Sequence, residues 1–104
     1  MAGGYRADGP LCLILLSYVA PLEAVDAQMK AHVAWLEQGF AQGVFLVAGR
    51  RKPRTGGVIL ARGEPDAVAA VAATDPFVTS GVATVELAPF NASFAAPPIA
   101  DLLA

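Results

Sequence analysis

The stretch that decides this fold is Leu11-Cys12-Leu13-Ile14-Leu15-Leu16-Ser17-Tyr18. The run is too short for a typical helix and is apolar at nearly every position, which is typical of a strand buried on both faces. Pro21 follows, and the apolar residues beyond it recur every three or four positions. This change of period predicts a strand followed by a helix.

The predicted helix covers residues 22–40. Its apolar side chains form one stripe, which consists of Leu22, Val25, Met29, Val33, Leu36 and Phe40. Glu23 and Asp26 lie in the first turn, where negative charge complements the helix dipole. Gly39 and Gly43 mark its end.

The remaining elements complete a β-α-β-β-α-β order. Strands are predicted over 44–48, 57–62 and 82–90, and a second helix over 66–73, which Asp75-Pro76 ends. This order indicates an α+β fold of the ferredoxin-like type, with one sheet and both helices on one of its faces. Residues 1–10 are expected to be a loose lead-in and residues 91–104 a C-terminal arm.

Composition indicates a single domain that assembles with a second copy. The chain has 104 residues, enough for one domain. Hydrophobic residues make up 56% and charged residues 15%, against typical values of about 45–50% and about 25%. Because helices would cover only one face of the sheet, a second subunit's sheet is the natural cover for the other. We therefore predict a homodimer.

Several classes of function are disfavoured. The net charge of −2 gives no basic footprint for nucleic acid. Cys12 is the only cysteine, so it forms no intrachain disulfide and is expected to be a small buried hydrophobe. One histidine and scattered carboxylates make no metal site. No apolar run reaches the ~20 residues of a membrane span, and Asp8-Gly9-Pro10 interrupts the only signal-like stretch, so we expect a cytoplasmic protein.

His32, the only histidine, is the candidate centre of any chemistry. It lies on the flank of the apolar stripe, where it could instead be a boundary residue bonded to a backbone carbonyl. Asp75 before Pro76 could likewise be an ordinary turn residue that bonds nearby backbone N–H groups. If the two side chains meet, the carboxylate would orient the imidazole for acid/base chemistry.

A basic loop lies between the two middle strands, at Arg50-Arg51-Lys52-Pro53-Arg54. It is either a solvated hairpin tip or an electrostatic guide for an anionic substrate. Ser17 and Ser80 are candidate substrate-positioning hydroxyls. A serine hydrolase is less attractive because the chain has no Gly-x-Ser-x-Gly motif. Trp35 is predicted to form a subunit contact.

Five short motifs carry a resemblance to a known family: Lys30-Ala31-His32-Val33-Ala34-Trp35-Leu36, Gly43-Val44-Phe45-Leu46-Val47-Ala48-Gly49, Gly56-Gly57-Val58-Ile59-Leu60, Asp75-Pro76-Phe77 and Gly81-Val82. In this order and spacing, over residues 11–90, the chain resembles the YciI-like (YCII-related) family. The resemblance implies a single YCII-related domain, a dimeric α/β barrel, and a cofactor-free site in a cleft. Carried over by position, that site is His32 and Asp75, with Gly49 as a wall. Arg50 stands where many members have a proline.

One branch of that family includes a dehydrochlorinase of a chlorinated hydroxyhydroquinone. A His–Asp pair with no nucleophilic serine or cysteine in evidence suits proton transfer, so we predict a cofactor-free lyase or isomerase that moves protons on a small, anionic organic molecule. His32 and Asp75 would be catalytic, and Arg50, Gly49, Phe77 and Ser80 would contact the substrate. The alternative is a non-catalytic module that binds a small metabolite or a partner chain. A third hypothesis is a cofactor-free monooxygenase.

Overall fold

The computed structural model describes residues 5–103 of the chain. Its strands are β1 (Pro10–Tyr18), β2 (Phe45–Arg50), β3 (Gly56–Arg62) and β4 (Ala83–Asn91). Its helices are α1 (Leu22–Ala27), α2 (Met29–Ala41), α3 (Pro65–Ala72), α4 (Pro76–Thr79) and α5 (Pro97–Leu103). The four strands form one antiparallel sheet in the order β2-β3-β1-β4. This is the α+β, ferredoxin-like topology that the order of elements predicts.

Strand β1 lies in the centre of the sheet, between β3 and β4, as its apolar character suggests. Cys12, Ile14 and Leu16 are fully buried on the face that the helices cover. Leu13 and Leu15 alternate with them and are only half-buried. The single chain thus leaves one face of the sheet uncovered, and the prediction that both faces of this strand are buried depends on the predicted second subunit.

The predicted helix over 22–40 is in fact two helices. The chain breaks at Gln28, where φ is −99° and ψ is 0°. Val33 and Phe40, which the predicted stripe places inside, are each 42% exposed, because α2 packs its His32–Gly39 edge against Phe77 and Phe45 rather than the centre of the stripe. His32 and Gly39 are the buried residues of α2 instead. This correction moves His32 from the flank of the helix to its inner face.

Gly39 sits in the interior of α2 because the ring of Phe45 occupies the space that a side chain would need. A Cβ at Gly39 would overlap that ring. In an ordinary helix interior, Gly→Ala stabilises a protein by about 0.5–1 kcal/mol. Gly39→Ala is expected to do the opposite and to destabilise by ~1–3 kcal/mol, the usual cost of overpacking.

Urea unfolding of the full chain measures this change. Gly49→Ala is the matched control, since no atom lies within 4 Å of a Cβ built there. A stabilised Gly39→Ala variant would contradict the packing of α2 against Phe45.

The segments that flank the sheet pack against each other. Arg6 and Phe94 form an isolated β-bridge, and the Arg6 guanidinium lies 4.7 Å from the centre of the Phe94 ring. The expected irregular arm contains helix α5, which begins at Pro97 and Pro98. Proline is tolerated in a first helical turn because its missing N–H would be unpaired there. Within residues 5–103, no helix is long and apolar enough to cross a membrane.

Candidate active site

The structure brings His32 and Asp75 into contact, although 43 positions separate them in the chain. His32 Nδ1 lies 2.8 Å from Asp75 Oδ1. The same oxygen accepts a 2.9 Å hydrogen bond from the backbone N–H of Phe77, so Asp75 is the N-cap of α4. Asp75 is therefore both a turn residue and the partner of His32, because its Oδ1 accepts the backbone N–H of Phe77 and also contacts His32 Nδ1.

The pair is buried, and its hydrogen bond indicates which nitrogen of a neutral His32 carries the proton. Asp75 is fully buried and His32 is 8% exposed. A carboxylate only accepts hydrogen bonds, so Nδ1 of a neutral His32 carries the proton and Nε2 has the free lone pair. Asp75 Oδ2 has no hydrogen-bond partner within the described part of the chain. Oδ1 therefore makes both hydrogen bonds of the Asp75 side chain, one with His32 and one with the Phe77 N–H.

Aromatic rings hold the imidazole plane. Phe77 stacks on His32 with ring centres 3.8 Å apart and planes 4° from parallel. Trp35 lies one turn along α2, and its ring centre is 5.7 Å from that of His32. Tyr18 packs edge-on against Phe77 at 5.9 Å. These contacts leave the imidazole little freedom to rotate.

His32 forms part of the wall of a cavity of about 220 Å³. Phe77 and three residues of α2 line one side, and the ends of β2 and β3 line the other. The residues that shape it are Met29, Val33, Leu36, Gly49, Gly56 and Gly57. The lining is mainly apolar, so an ionic interaction inside it is stronger than in open water.

The predicted substrate contacts fall into two groups. Gly49, Arg50 and Phe77 all line the cavity with His32. A Cβ at Gly49 would meet no protein atom within 4 Å, so the fold itself does not require a glycine there. Ser80 is not among the lining residues, and its hydroxyl lies 3.5 Å from the carbonyl oxygen of Phe77 instead. The structure therefore does not bring Ser80 to the predicted site.

Two arginines of the basic loop bond to other parts of the protein, and a third lines the cavity. Arg54 forms an ion pair with Asp26, and this hydrogen bond raises the pKa of the Arg54 guanidinium. Arg51 Nη1 donates a 3.3 Å hydrogen bond to the hydroxyl of Ser17, the other candidate substrate-positioning serine. Within the described residues no carboxylate forms a salt bridge with Arg50. Arg50 is thus the cation of this loop that remains available at the cavity.

Sequence reasoning missed one contact beside the pair. Trp35 is half-buried, and its Nε1–H donates a 2.9 Å hydrogen bond to Thr74 Oγ1. The sequence hints at the Trp35–Thr74 contact only through spacing, since Trp35 lies one helical turn after His32 and Thr74 directly precedes Asp75. Cys12, by contrast, is fully buried in the core as a small hydrophobe, and desolvation raises the pKa of its thiol.

The fold and the site together define a ferredoxin-like domain with a buried histidine–carboxylate pair on a cavity wall. Residues 11–91 match the YCII-related domain, and the chain belongs to the YCII-related family. The fold is also similar to that of 5-chloro-2-hydroxyhydroquinone dehydrochlorinase (TftG) from Burkholderia phenoliruptrix AC1100, solved in complex with 2,5-dihydroxybenzoquinone. That comparison has a TM-score of 0.65 and 23% sequence identity, and covers 75% of this chain and 90% of the other. No curated protein matches the sequence.

Proposed function

We propose that this protein is a cofactor-free lyase or isomerase that moves protons on a small anionic organic molecule. His32 is the general acid/base and Asp75 orients it. The observation that carries the proposal is the 2.8 Å contact between His32 Nδ1 and buried Asp75 on the cavity wall. It leaves Nε2 as the basic nitrogen, with no protein hydrogen bond in residues 5–103.

The chemistry follows from that nitrogen. Nε2 takes a proton from an acidic C–H or O–H group of the substrate, and the buried carboxylate stabilises the imidazolium that forms. In a lyase step, the electron pair left by the proton forms a new π bond while the leaving group departs with its own pair. In an isomerase step, the imidazolium returns the proton at a different atom. Neither step requires a redox partner.

The cavity favours a small, flat, negatively charged substrate. Arg50 lines the cavity as a cation that forms no salt bridge within residues 5–103, and its sheet partner Gly57, which also lines the cavity, has no side chain to fill it. The similar fold of a dehydrochlorinase that was solved with 2,5-dihydroxybenzoquinone supplies a first test compound of this shape. Hydroxylated ring compounds that lose chloride are therefore the first substrates to test.

The experiment measures chloride release from 5-chloro-2-hydroxyhydroquinone and, separately, binding of 2,5-dihydroxybenzoquinone. We expect the wild type to accelerate chloride release, and Arg50→Ala to raise KM by about tenfold through loss of one charge-assisted contact. Lys52→Ala is the control, because Lys52 is in the same loop but does not line the cavity. Binding without turnover would favour a small-metabolite-binding module, and oxygen uptake with a quinol would favour a monooxygenase. The absence of both binding and turnover would contradict this substrate class.

We further propose that the protein is a homodimer of the dimeric α/β barrel type, in which two sheets pack face to face. The uncovered face of the sheet carries an apolar surface, which consists of Leu13, Leu15, Val47, Val58, Leu60 and Phe90. Val47 is 62% exposed and Phe90 is 47% exposed in the single chain. Glu86, which pairs with Leu15, and Arg62, which pairs with Leu11, interrupt this face, but its exposed apolar side chains support association with a second copy.

Leu60→Lys tests that interface, since Leu60 lies on the uncovered face and pairs with Leu13 and Val47 in the sheet. An unpaired charge buried between two sheets should raise the dimer dissociation constant at least about a hundredfold. Analytical ultracentrifugation across a dilution series measures the shift. Val19→Lys, at an exposed position outside the strands, is the control. A dimer unchanged by Leu60→Lys would contradict sheet-to-sheet packing.

A further inference from the structure

Helix α2 and the turn before α4 are joined by two parallel side-chain contacts. The first is His32–Asp75, and the second is Trp35–Thr74. Trp35 follows His32 by one helical turn, so both side chains project toward the same neighbour. Thr74 and Asp75 are adjacent in the chain. The second contact therefore ties down the backbone that carries the carboxylate.

The Thr74 hydroxyl is used in both of its roles. It accepts the 2.9 Å bond from Trp35 Nε1 and donates a 2.7 Å bond to the carbonyl oxygen of Val71, in the last turn of α3. The indole of Trp35 also packs against the ring of Phe45, with ring centres 4.9 Å apart and planes at 59°. The contact thus links α2, β2 and the end of α3 through two hydrogen bonds and one ring contact.

Asp75 needs such an anchor because of where it lies. It caps α4, a helix of four residues, and it follows α3 after only two intervening residues. Such a short helix contributes little rigidity of its own. A shift of a few tenths of an ångström would lengthen the 2.8 Å bond to His32 and weaken its geometry.

We propose that Trp35 and Thr74 are positioning residues that hold Asp75 against His32. Neither residue lines the cavity of His32, so they act through the pair rather than on the substrate. The effect on turnover rests on the proposed function above, but the effect on the His32–Asp75 bond does not. The His32–Asp75 bond can be observed directly, because the chain has a single histidine and its ring signals in nitrogen-15 NMR are assigned without ambiguity.

The experiment follows exchange of the His32 Nδ1 proton with solvent in the full chain. Trp35→Phe keeps an aromatic ring but removes the N–H donor, and Thr74→Val keeps the shape but removes the hydroxyl. Both should accelerate exchange at least tenfold, because the bond to Asp75 opens more often. Thr74→Ser retains the hydroxyl and should restore slow exchange. Thr84→Val, at an exposed position of β4, is the control for a threonine change elsewhere.

Turnover of 5-chloro-2-hydroxyhydroquinone gives the second readout. A positioning role predicts that kcat falls about tenfold in Trp35→Phe and Thr74→Val while KM stays unchanged. Faster exchange in a protein without this turnover would still support the positioning role and would count against the proposed chemistry alone. Unchanged exchange in both variants would overturn the positioning role, whatever their melting temperatures, and so would Thr74→Ser behaving like Thr74→Val.

Discussion

His32→Gln is expected to lower kcat for chloride release by about 10²–10⁴-fold, the range typical of a lost general acid or base. Glutamine is close to histidine in size, and its flexible side chain carries an amide N–H that can donate a hydrogen bond to Asp75. It carries no group that takes up a proton near neutral pH. The variant therefore removes the proton transfer while it keeps the partner of the buried carboxylate.

The assay compares steady-state turnover with binding of 2,5-dihydroxybenzoquinone, which should persist because Arg50 and the apolar lining are intact. Lys30→Gln is the matched control, at an exposed position of the same helix. Added imidazole should partly restore turnover in His32→Ala, where the space of the ring is empty. Equal turnover in wild type and His32→Gln would assign His32 a structural role and remove the proposed mechanism.

Asp75→Ala is expected to cost ~2–4 kcal/mol of the free energy of unfolding. Loss of the N-cap bond to Phe77 contributes about 1 kcal/mol. The buried Nδ1–H of His32 then lacks an acceptor, which costs about 1–3 kcal/mol more. Urea unfolding measures the sum, and Asp66→Ala in the exposed first turn of α3 is the control. A variant as stable as the wild type would mean that the buried carboxylate contributes nothing net.

Asp75→Asn separates the charge of Asp75 from its hydrogen bonds. The amide oxygen can still accept from the Phe77 N–H and from His32 Nδ1, so the loss of stability should be smaller than in Asp75→Ala. The negative charge that stabilises the imidazolium is gone, and turnover should fall at least about tenfold. Turnover equal to that of the wild type would show that Asp75 orients the ring but does not act through its charge.

The order of the elements could be predicted because it depends on local properties. The continuous apolar run at 11–18, the change of period after Pro21 and the turn at Asp75-Pro76 each report on a few neighbouring residues. Strand boundaries shifted by only one or two positions. The role of His32 and Asp75 depended on the resemblance to the YCII-related family, because no period or spacing brings together residues 43 positions apart.

By itself, the sequence determined the β-α-β-β-α-β order, the family and the candidate pair. The tertiary structure alone decided that His32 lies on the inner face of α2, since Phe77 stacks on His32 and Phe45 packs against Gly39 on that face. It also decided that Arg51 and Arg54 bond to Ser17 and Asp26 while Arg50 faces the cavity. The physical reason is common to these cases: a pattern records residue types along one element, whereas a hydrogen bond or ion pair depends on which elements fold side by side.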